Sequence, residues 1–206
     1  MNVADALQQR TSAHFFDPSA TLSDAEITTL VELAQNAPSS MNVQFTRFVA
    51  VTEPSLKARL KDAAYGQAKV EAASVVFVLV GDLEAAHAFA ERTRASAALG
   101  AMPADAAERT ATGALNSFGD PTRAREECVR SVGLSAMALM LAAQELGWVS
   151  CPMTGFQPAV FSEILGLTSR YVPLMLVVVG KPAPGNLGRK PRLGTDVVLR
   201  INRADL

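Results

Sequence analysis

The chain has 206 residues, with 19 Lys and Arg against 20 Asp and Glu, which gives a net charge of -1 at pH 7. This balance does not favour a nucleic-acid partner, which would require a basic surface. The length is typical of one domain, residues 1–206, and the 49% of hydrophobic residues can build a sizeable core. The N-terminus has no cationic start followed by an apolar run, so we predict no signal peptide.

The first part of the chain predicts two helices. A short amphipathic helix is expected over Asn2–Gln9. Ser23 and Glu26 form a capping box that begins a second helix, because each side chain can bond the backbone of the other. This helix must end near Asn36, because Pro38 disfavours helical geometry in the residue before it.

Two polar segments accompany these helices. Residues 10–12 are Arg-Thr-Ser, and a guanidinium with neighbouring hydroxyls is suited to binding phosphate. Residues 37–44 form a loop rich in hydroxyls and amides, which leads into an apolar strand at Phe48–Val51. Both segments are also compatible with ordinary solvated turns, so neither identifies a site by itself.

The middle of the chain contains a strand that we expect to be buried. After a helix from Pro54 to about Tyr65, residues 75–80 are six consecutive apolar positions, typical of a strand covered on both faces. A helix is expected over Asp82–Ala101, and Met102–Pro121 is the least regular part of the pattern. We interpret residues 82–121 as a variable lid or substrate-pocket insertion, because long connections tend to be functional or mobile.

The stretch Arg125–Phe156 is expected to organise the fold. Residues 131–143 include no charge and carry apolar side chains in every direction, which predicts a buried central helix too short to span a membrane. Gly147 should end this helix, followed by an extended segment at Trp148–Cys151. Residues 152–156 (Pro-Met-Thr-Gly-Phe) predict a turn that presents amide donors to a ligand, although a plain connection remains the alternative.

The C-terminal part predicts a helix, two strands and a basic loop. The helix is expected over Pro158–Leu165 and a second buried strand over Pro173–Gly180. Residues 181–194 are rich in Gly and Pro and carry Arg189, Lys190 and Arg192 close together, and three such cations in a loop are normally solvated. Val197–Ile201 predicts a terminal strand that needs an edge with which to pair.

Several common chemistries lack their motifs. No Gly-x-Gly-x-x-Gly follows a strand, no P-loop ends in Lys-Ser or Lys-Thr, and no Gly-x-Ser-x-Gly elbow occurs. The two Cys and two His residues, among them His14, show no metal-ligand spacing, so we expect no metal site and a reduced, cytoplasmic protein. Any enzymatic chemistry should therefore come from a bound organic cofactor.

Four motifs together resemble the FMN-dependent nitroreductase family. They are residues 10–12 (Arg-Thr-Ser), 37–44 (APSSMNVQ), 152–156 (PMTGF) and 190–192 (Lys-Pro-Arg), and their order and spacing cover nearly the whole chain. The resemblance implies an α+β, nitroreductase-like fold with a central mixed β-sheet flanked by helices. It also implies an intertwined homodimer with C-terminal strand exchange, in which FMN is bound between the subunits.

The resemblance implies a set of cofactor-binding residues and no indispensable catalytic side chain, because the flavin performs the chemistry. The residues that would hold the FMN phosphate and ribityl chain are Arg10, Ser12, Lys190 and Arg192. Ser39, Ser40 and Asn42 would come from the partner subunit. The turn from Pro152 to Gly155 would face the flavin ring, and Lys69 would approach its pyrimidine edge. The full set is Arg10, Thr11, Ser12, His14, Pro38, Ser39, Ser40, Asn42, Gln44, Lys69, Pro152, Met153, Thr154, Gly155, Lys190 and Arg192.

The implied function is that of an FMN-dependent NAD(P)H oxidoreductase with a ping-pong cycle. NADH or NADPH would reduce FMN and leave before a small electrophilic acceptor, such as a nitroaromatic compound or a quinone, binds. Three departures from the family pattern are His14 in place of Arg or Lys, Gln44-Phe45-Thr46 in place of Gln-Pro-Trp, and Thr154 in place of a glutamate. Thr154 is more similar to the malonic-semialdehyde-reductase-like branch, so an enal or semialdehyde reductase is an alternative, as is a flavin-storage protein with little turnover.

Overall fold

The computed structural model describes residues 1–202 and 204, and within them helices cover a four-stranded sheet. The helices are α1 (Val3–Gln9), α2 (Asp24–Ala34), α3 (Pro54–Ala63), α4 (Ala68–Ala72), α5 (Ala85–Ala98), α6 (Ala104–Phe118), α7 (Pro121–Glu145), α8 (Pro158–Leu165) and α9 (Thr195–Val198). The strands are β1 (Thr46–Val51), β2 (Val75–Asp82), β3 (Val149–Met153) and β4 (Tyr171–Gly180). The described part of the chain contains no helix long and apolar enough to cross a membrane.

The sheet has the order β1-β2-β4-β3, and β2 is buried along its whole length. The prediction of a central, doubly covered strand at residues 75–80 is therefore confirmed. All three neighbouring pairs are antiparallel, whereas a mixed sheet was expected. The segment that could have added a parallel strand, residues 11–13, meets the edge of β3 through one isolated parallel bridge, between Ser12 and Ser150.

Helix α7 is the central helix that residues 131–143 predict. It lies directly on β2, where Gly81 permits the approach: a Cβ at Gly81 would lie only 2.5 Å from Cys128 Cβ. Its inner side buries Val132, Ala136 and Leu139, but Leu134 remains 48% exposed. The expectation of a helix buried on every side is thus wrong for the single chain, because no described element covers this outer face.

Residues 102–121 are regular, which corrects the expectation of an irregular segment. They contain the 15-residue helix α6, which packs against α5 and buries Ala107, Ala111 and Ala114. These alanines recur at helical spacing, a pattern that was not recognised in the sequence. Arg94 and Glu108 join the two helices by an ion pair at 2.8 Å.

Two expected elements near the motifs differ from the structure. Pro152 and Met153 belong to β3, so the turn begins only at Thr154. Residues 197–201, expected as a terminal strand, instead include the end of the short helix α9. A strand needs a neighbouring edge, whereas this helical turn satisfies its amides internally, with Val198 N donating to Gly194 O at 3.3 Å.

Candidate cofactor-binding site

A basic cavity of about 110 Å³ brings together the first and the fourth motif. Its walls come from residues 10–14, which follow α1, and from residues 187–192 of the C-terminal loop. No carboxylate is among the lining residues, which are Arg10, Thr11, Ser12, His14, Leu187, Gly188, Arg189, Lys190 and Arg192. We call this cavity the cation pocket.

Arg10 is the residue of the cation pocket that most clearly lacks a partner. Its Nη1 atom is buried and makes no hydrogen bond. Burial lowers the pKa of Arg10, and the nearby charges of Arg189 and Arg192 lower it further. Because buried donors are almost always paired, this atom fits an anion that would satisfy it and offset the repulsion between the cations. The phosphate of FMN has that chemistry.

Asn186 and Arg189 hold the two walls of the cation pocket together. Asn186 Oδ1 accepts from His14 N at 2.7 Å and Phe15 N at 3.0 Å, and its Nδ2 donates to Phe15 O at 2.7 Å. Arg189 Nη1 donates to Leu7 O at 2.6 Å and so caps the end of α1. The sequence did not indicate either role, because only the folded chain brings Asn186 to His14, 172 positions away, and Arg189 to Leu7, 182 positions away.

The third motif and Lys69 form a second cluster beside the cation pocket. Lys69 Nζ lies 3.6 Å from Cys151 Sγ, and Cys151 is close enough to Arg10 to affect its pKa. Gln67 Nε2 donates to Gly155 O at 2.8 Å, which ties the turn to the start of α4. Thr154 and Gly155 are exposed, whereas Met153 is buried and Pro152 is partly buried. Arg10, Lys69 and this turn therefore lie along one face of the chain.

The loop at residues 38–44 lines a different cavity, of about 250 Å³, between α2, β1 and α7. Its backbone is unusual: Met41, Asn42 and Gln44 have φ angles of 52°, 57° and 62°. Such left-handed residues other than glycine tend to occur at functional sites. Ser39 Oγ accepts from Gln44 N at 2.8 Å, while Ser40 Oγ donates to Glu127 at 2.6 Å. The predicted site residues thus form two separate groups within one chain.

A buried carboxylate that the sequence analysis missed lies below this loop. Asp82, at the end of β2, has no exposed side-chain surface and pairs with Arg47 at 2.8 Å and with Arg170 at 2.7 Å. Burial by itself raises the pKa of Asp82, but the hydrogen bonds from Arg170 and the charge of Arg47 outweigh it and hold the pKa below its ordinary value. Asp82 is therefore ionised at neutral pH. The only feature of the sequence that pointed to a buried carboxylate here is that Asp82 closely follows six apolar strand residues.

The nitroreductase family model matches residues 7–181 of the chain. The chain belongs to the nitroreductase family. The matched residues include the first three motifs, while the loop with Lys190 and Arg192 lies outside them. The family predicted from the four motifs is confirmed, and with it the identification of the chain as an oxidoreductase.

Individual relatives are similar to this chain over most of their length. YodC of Bacillus subtilis (strain 168), named as an NAD(P)H nitroreductase, is 33% identical over 87% of this chain and 89% of its own. A structure from Exiguobacterium sibiricum 255-15, solved in complex with FMN, has a TM-score of 0.88 and 26% identity, covering 98% of both chains. The CLA biosynthesis enone reductase of Lactiplantibacillus plantarum is 25% identical over 88% of this chain and 86% of its own. The predicted nitroreductase-like fold is confirmed.

Proposed function

We propose that this nitroreductase-family protein is an FMN-dependent NAD(P)H oxidoreductase whose cation pocket holds the FMN phosphate. The observation that carries the proposal is the buried, unpaired Nη1 atom of Arg10 in a pocket without a carboxylate. The FMN complex of the relative from E. sibiricum and the NAD(P)H named for YodC support the cofactor and the donor. When bound, FMN supplies the redox chemistry by taking a hydride from NAD(P)H and passing it to an acceptor.

The residues of the chain bind and orient the cofactor in this proposal. Arg10, Lys190 and Arg192 provide charge-assisted donors for the phosphate, with Ser12 beside them. Lys69, which adjoins Cys151 on β3, provides a positive charge that favours negative charge on the flavin ring. The exposed turn at Thr154 and Gly155 can approach the ring, because Gly155 has no side chain.

We further propose that the protein works as a homodimer in which the loop at residues 38–44 completes the partner's site. The cavity that this loop lines is separate from the cation pocket of the same chain, so a second copy of the chain is needed to bring the loop to a cation pocket. The outer face of α7 is apolar at Leu134. Val3 and Leu33, which line a cavity together with Ala138 and Leu141 of α7, are 69% and 46% exposed. Strand exchange through residues 197–201 and a cytoplasmic location remain predictions.

The test is an absorbance spectrum of the freshly purified protein before and after anaerobic addition of NADPH, and then of NADH. We expect oxidised-flavin peaks that disappear within seconds with at least one donor. Peaks that persist with both donors would favour the storage alternative. A protein that stays colourless after reconstitution with FMN would refute the proposal.

For the acceptor, we propose a small electrophile and a cycle in which the donor leaves before the acceptor binds. Nitroaromatic compounds and quinones are the first candidates. The uncharged, exposed Thr154 and the enone reductase among the relatives favour an enal or a related carbonyl compound as the second. Steady-state rates with one compound of each class separate them, since a hundredfold preference for nitroaromatics would reject the second candidate. Parallel double-reciprocal plots would support the ping-pong order.

Helices α5 and α6 are proposed to form the variable wall of the acceptor pocket, as expected for a lid at residues 82–121. The open side of α6 at Gly113 lies near Met41 of the loop, with Met41 Cε 3.8 Å from the position of a Cβ at Gly113. Exchanging Gly113 for a larger residue should therefore change the relative rates with large and small acceptors. Unaltered ratios would argue against this role.

A further inference from the structure

Arg47 connects the loop at residues 38–44 to the interior of the protein. Its Nη1 atom donates to Gln44 O at 2.6 Å and to Thr46 O at 3.0 Å, while Nη2 donates to Asp82 Oδ2 at 2.8 Å. The planar guanidinium can serve these acceptors together because its donors have a fixed geometry. Arg47 therefore links the carbonyl of Gln44, a left-handed residue, to the buried carboxylate of Asp82, because its guanidinium donates to both.

Asp82, to which Arg47 binds, is itself held by several other hydrogen bonds. Asp82 lies at the end of the central strand β2, and its side chain also accepts from Arg170 Nε and Nη2 at 2.7 and 2.8 Å and from Glu84 N at 3.1 Å. Asp82 N donates to Phe45 O at 2.9 Å. Consecutive carbonyl groups of the loop end, at Gln44 and Phe45, are thus both fixed relative to Asp82.

The outer end of the connection is the hydroxyl of Ser39. Gln44 N donates to Ser39 Oγ at 2.8 Å, so the left-handed backbone conformation of Gln44 helps to fix the position of this hydroxyl. A serine hydroxyl has a single donor hydrogen, and in Ser39 that hydrogen is not used by any hydrogen bond within residues 1–202 and 204. It is available to a ligand, in contrast to the hydroxyl of Ser40, which donates to Glu127.

We propose that Arg47 is a positioning residue of the flavin site: anchored on Asp82, it holds the Gln44 carbonyl and so fixes the left-handed backbone of Gln44. The N–H of the same residue then holds the Ser39 hydroxyl in place for the flavin bound with the partner subunit. This inference rests on the proposed function. According to this inference, the ion pair between Arg47 and Asp82 contributes to cofactor binding as well as to the stability of the fold. Arg47 also lines the same cavity as Ser39 and Gln44.

Arg170 offers a matched control for this distinction. It pairs with the same carboxylate at a similar distance, and its side chain is about as exposed as that of Arg47, 32% against 38%. Within residues 1–202 and 204, its side chain pairs with Asp82 and Glu84 and lies over the Tyr171 ring, and it makes no hydrogen bond or ion pair with the loop at residues 38–44. Replacing either arginine should weaken the fold around Asp82, but only the loss of Arg47 should release Gln44.

The experiment compares Arg47→Met, Arg170→Met and the wild-type full chain. Flavin fluorescence titrations give Kd for FMN and for riboflavin, and thermal unfolding gives Tm. We expect both variants to lose Tm. We expect Arg47→Met to bind both FMN and riboflavin about tenfold more weakly, which is the scale of one charge-assisted hydrogen bond. The factor should be the same for the two ligands, because the change does not touch the cation pocket proposed for the phosphate. Arg170→Met should keep both Kd values within about twofold.

Two further variants keep the test decisive. In a Ser39→Ala background, Arg47→Met should weaken binding no further, because both changes act on one hydroxyl. If Arg47→Met does not fold, Arg47→Lys replaces it: an ammonium lacks the two separated nitrogens with which the guanidinium serves Asp82 and Gln44, so a several-fold loss is expected. Equal Kd changes in the Arg47 and Arg170 variants, or no change in the Arg47 variant, would overturn this inference alone. A wild-type chain that binds no flavin would instead overturn the proposed function.

Discussion

Replacing Asp82 by Asn should destabilise the fold strongly. The side chain has no exposed surface and accepts four hydrogen bonds, three of them from guanidinium groups. Asn has a similar shape but turns an amide toward two cations that have lost their counter-charge. Breaking a fully buried ion pair costs about 3–5 kcal/mol. Since Arg47 and Arg170 keep about a third of their surface in water, we expect a loss of about 2–4 kcal/mol in the free energy of unfolding.

The assay is urea unfolding followed by circular dichroism, with thermal unfolding in parallel. For a chain of this length, the expected loss corresponds to a decrease in Tm of about 5–15 °C. Glu108→Gln is the control: the pKa of Glu108 is likewise lowered, to about 2, by hydrogen bonds from Arg94 and Thr112, but Glu108 is exposed. Its replacement should have a clearly smaller effect.

The pH dependence gives the prediction a second, independent test. Because the pKa of Asp82 is lower in the folded than in the unfolded chain, its charge stabilises the fold above the unfolded value, near pH 4. The difference between wild type and Asp82→Asn should be constant from pH 6 to 8 and shrink as the pH falls below about 4. A variant as stable as wild type at pH 7, or a difference that grows in acid, would refute this account.

Other consequences of the structure can be tested separately. Arg10→Ala should raise Kd for FMN at least tenfold and Kd for riboflavin much less, because its contact is to the phosphate; equal effects would place Arg10 elsewhere. Asn186→Ala should do the same more weakly, by several-fold, in the same titrations. Leu139→Ala should lower the free energy of unfolding by about 2–5 kcal/mol in urea, because Leu139 is fully buried. Cys128, whose pKa burial raises to about 12, should resist thiol reagents at pH 8 until the protein is unfolded, as mass spectrometry of labelled protein would show.

Local signals predicted the elements that depend on local interactions. The capping box of Ser23 and Glu26 forms as expected, since its hydrogen bonds link residues three positions apart. Gly147 follows α7 with a φ angle of 74°, which the sequence indicated by glycine at the end of an apolar run. The buried strand β2 was recognisable for a similar reason, because covering both faces demands apolar residues at consecutive positions.

The incorrect expectations concern elements that depend on what lies beside them. Residues 197–201 have the composition of a strand, but in the single chain no edge receives them and they form part of a helical turn and a bend. Helix α6 was not recognised, although alanines recur at helical spacing on its buried face. The pairing of Arg170 with Asp82 joins residues 88 positions apart, and no local spacing indicates it.

For the candidate site, the family resemblance indicated the motifs and a first grouping of them. Arg10, Ser12, Lys190 and Arg192 lie in one pocket, and their role in binding FMN stays a prediction. The residues that make them meet, above all Asn186, use ordinary amide hydrogen bonds that any loop asparagine can form. Roles of that kind become visible only when the distances are known.

Under the proposed function, the Asn186 contacts also set the point at which the chain can first bind FMN. His14 N and Asn186 Oδ1 are 172 positions apart in sequence, so the cation pocket does not exist until almost all of the described chain has been synthesised and folded. Contacts between such distant residues close late, because the intervening chain must first become ordered. Flavin capture would then mark the completion of folding, and at a free concentration 100 times its Kd the cofactor would add about 2.7 kcal/mol to the stability of the finished protein.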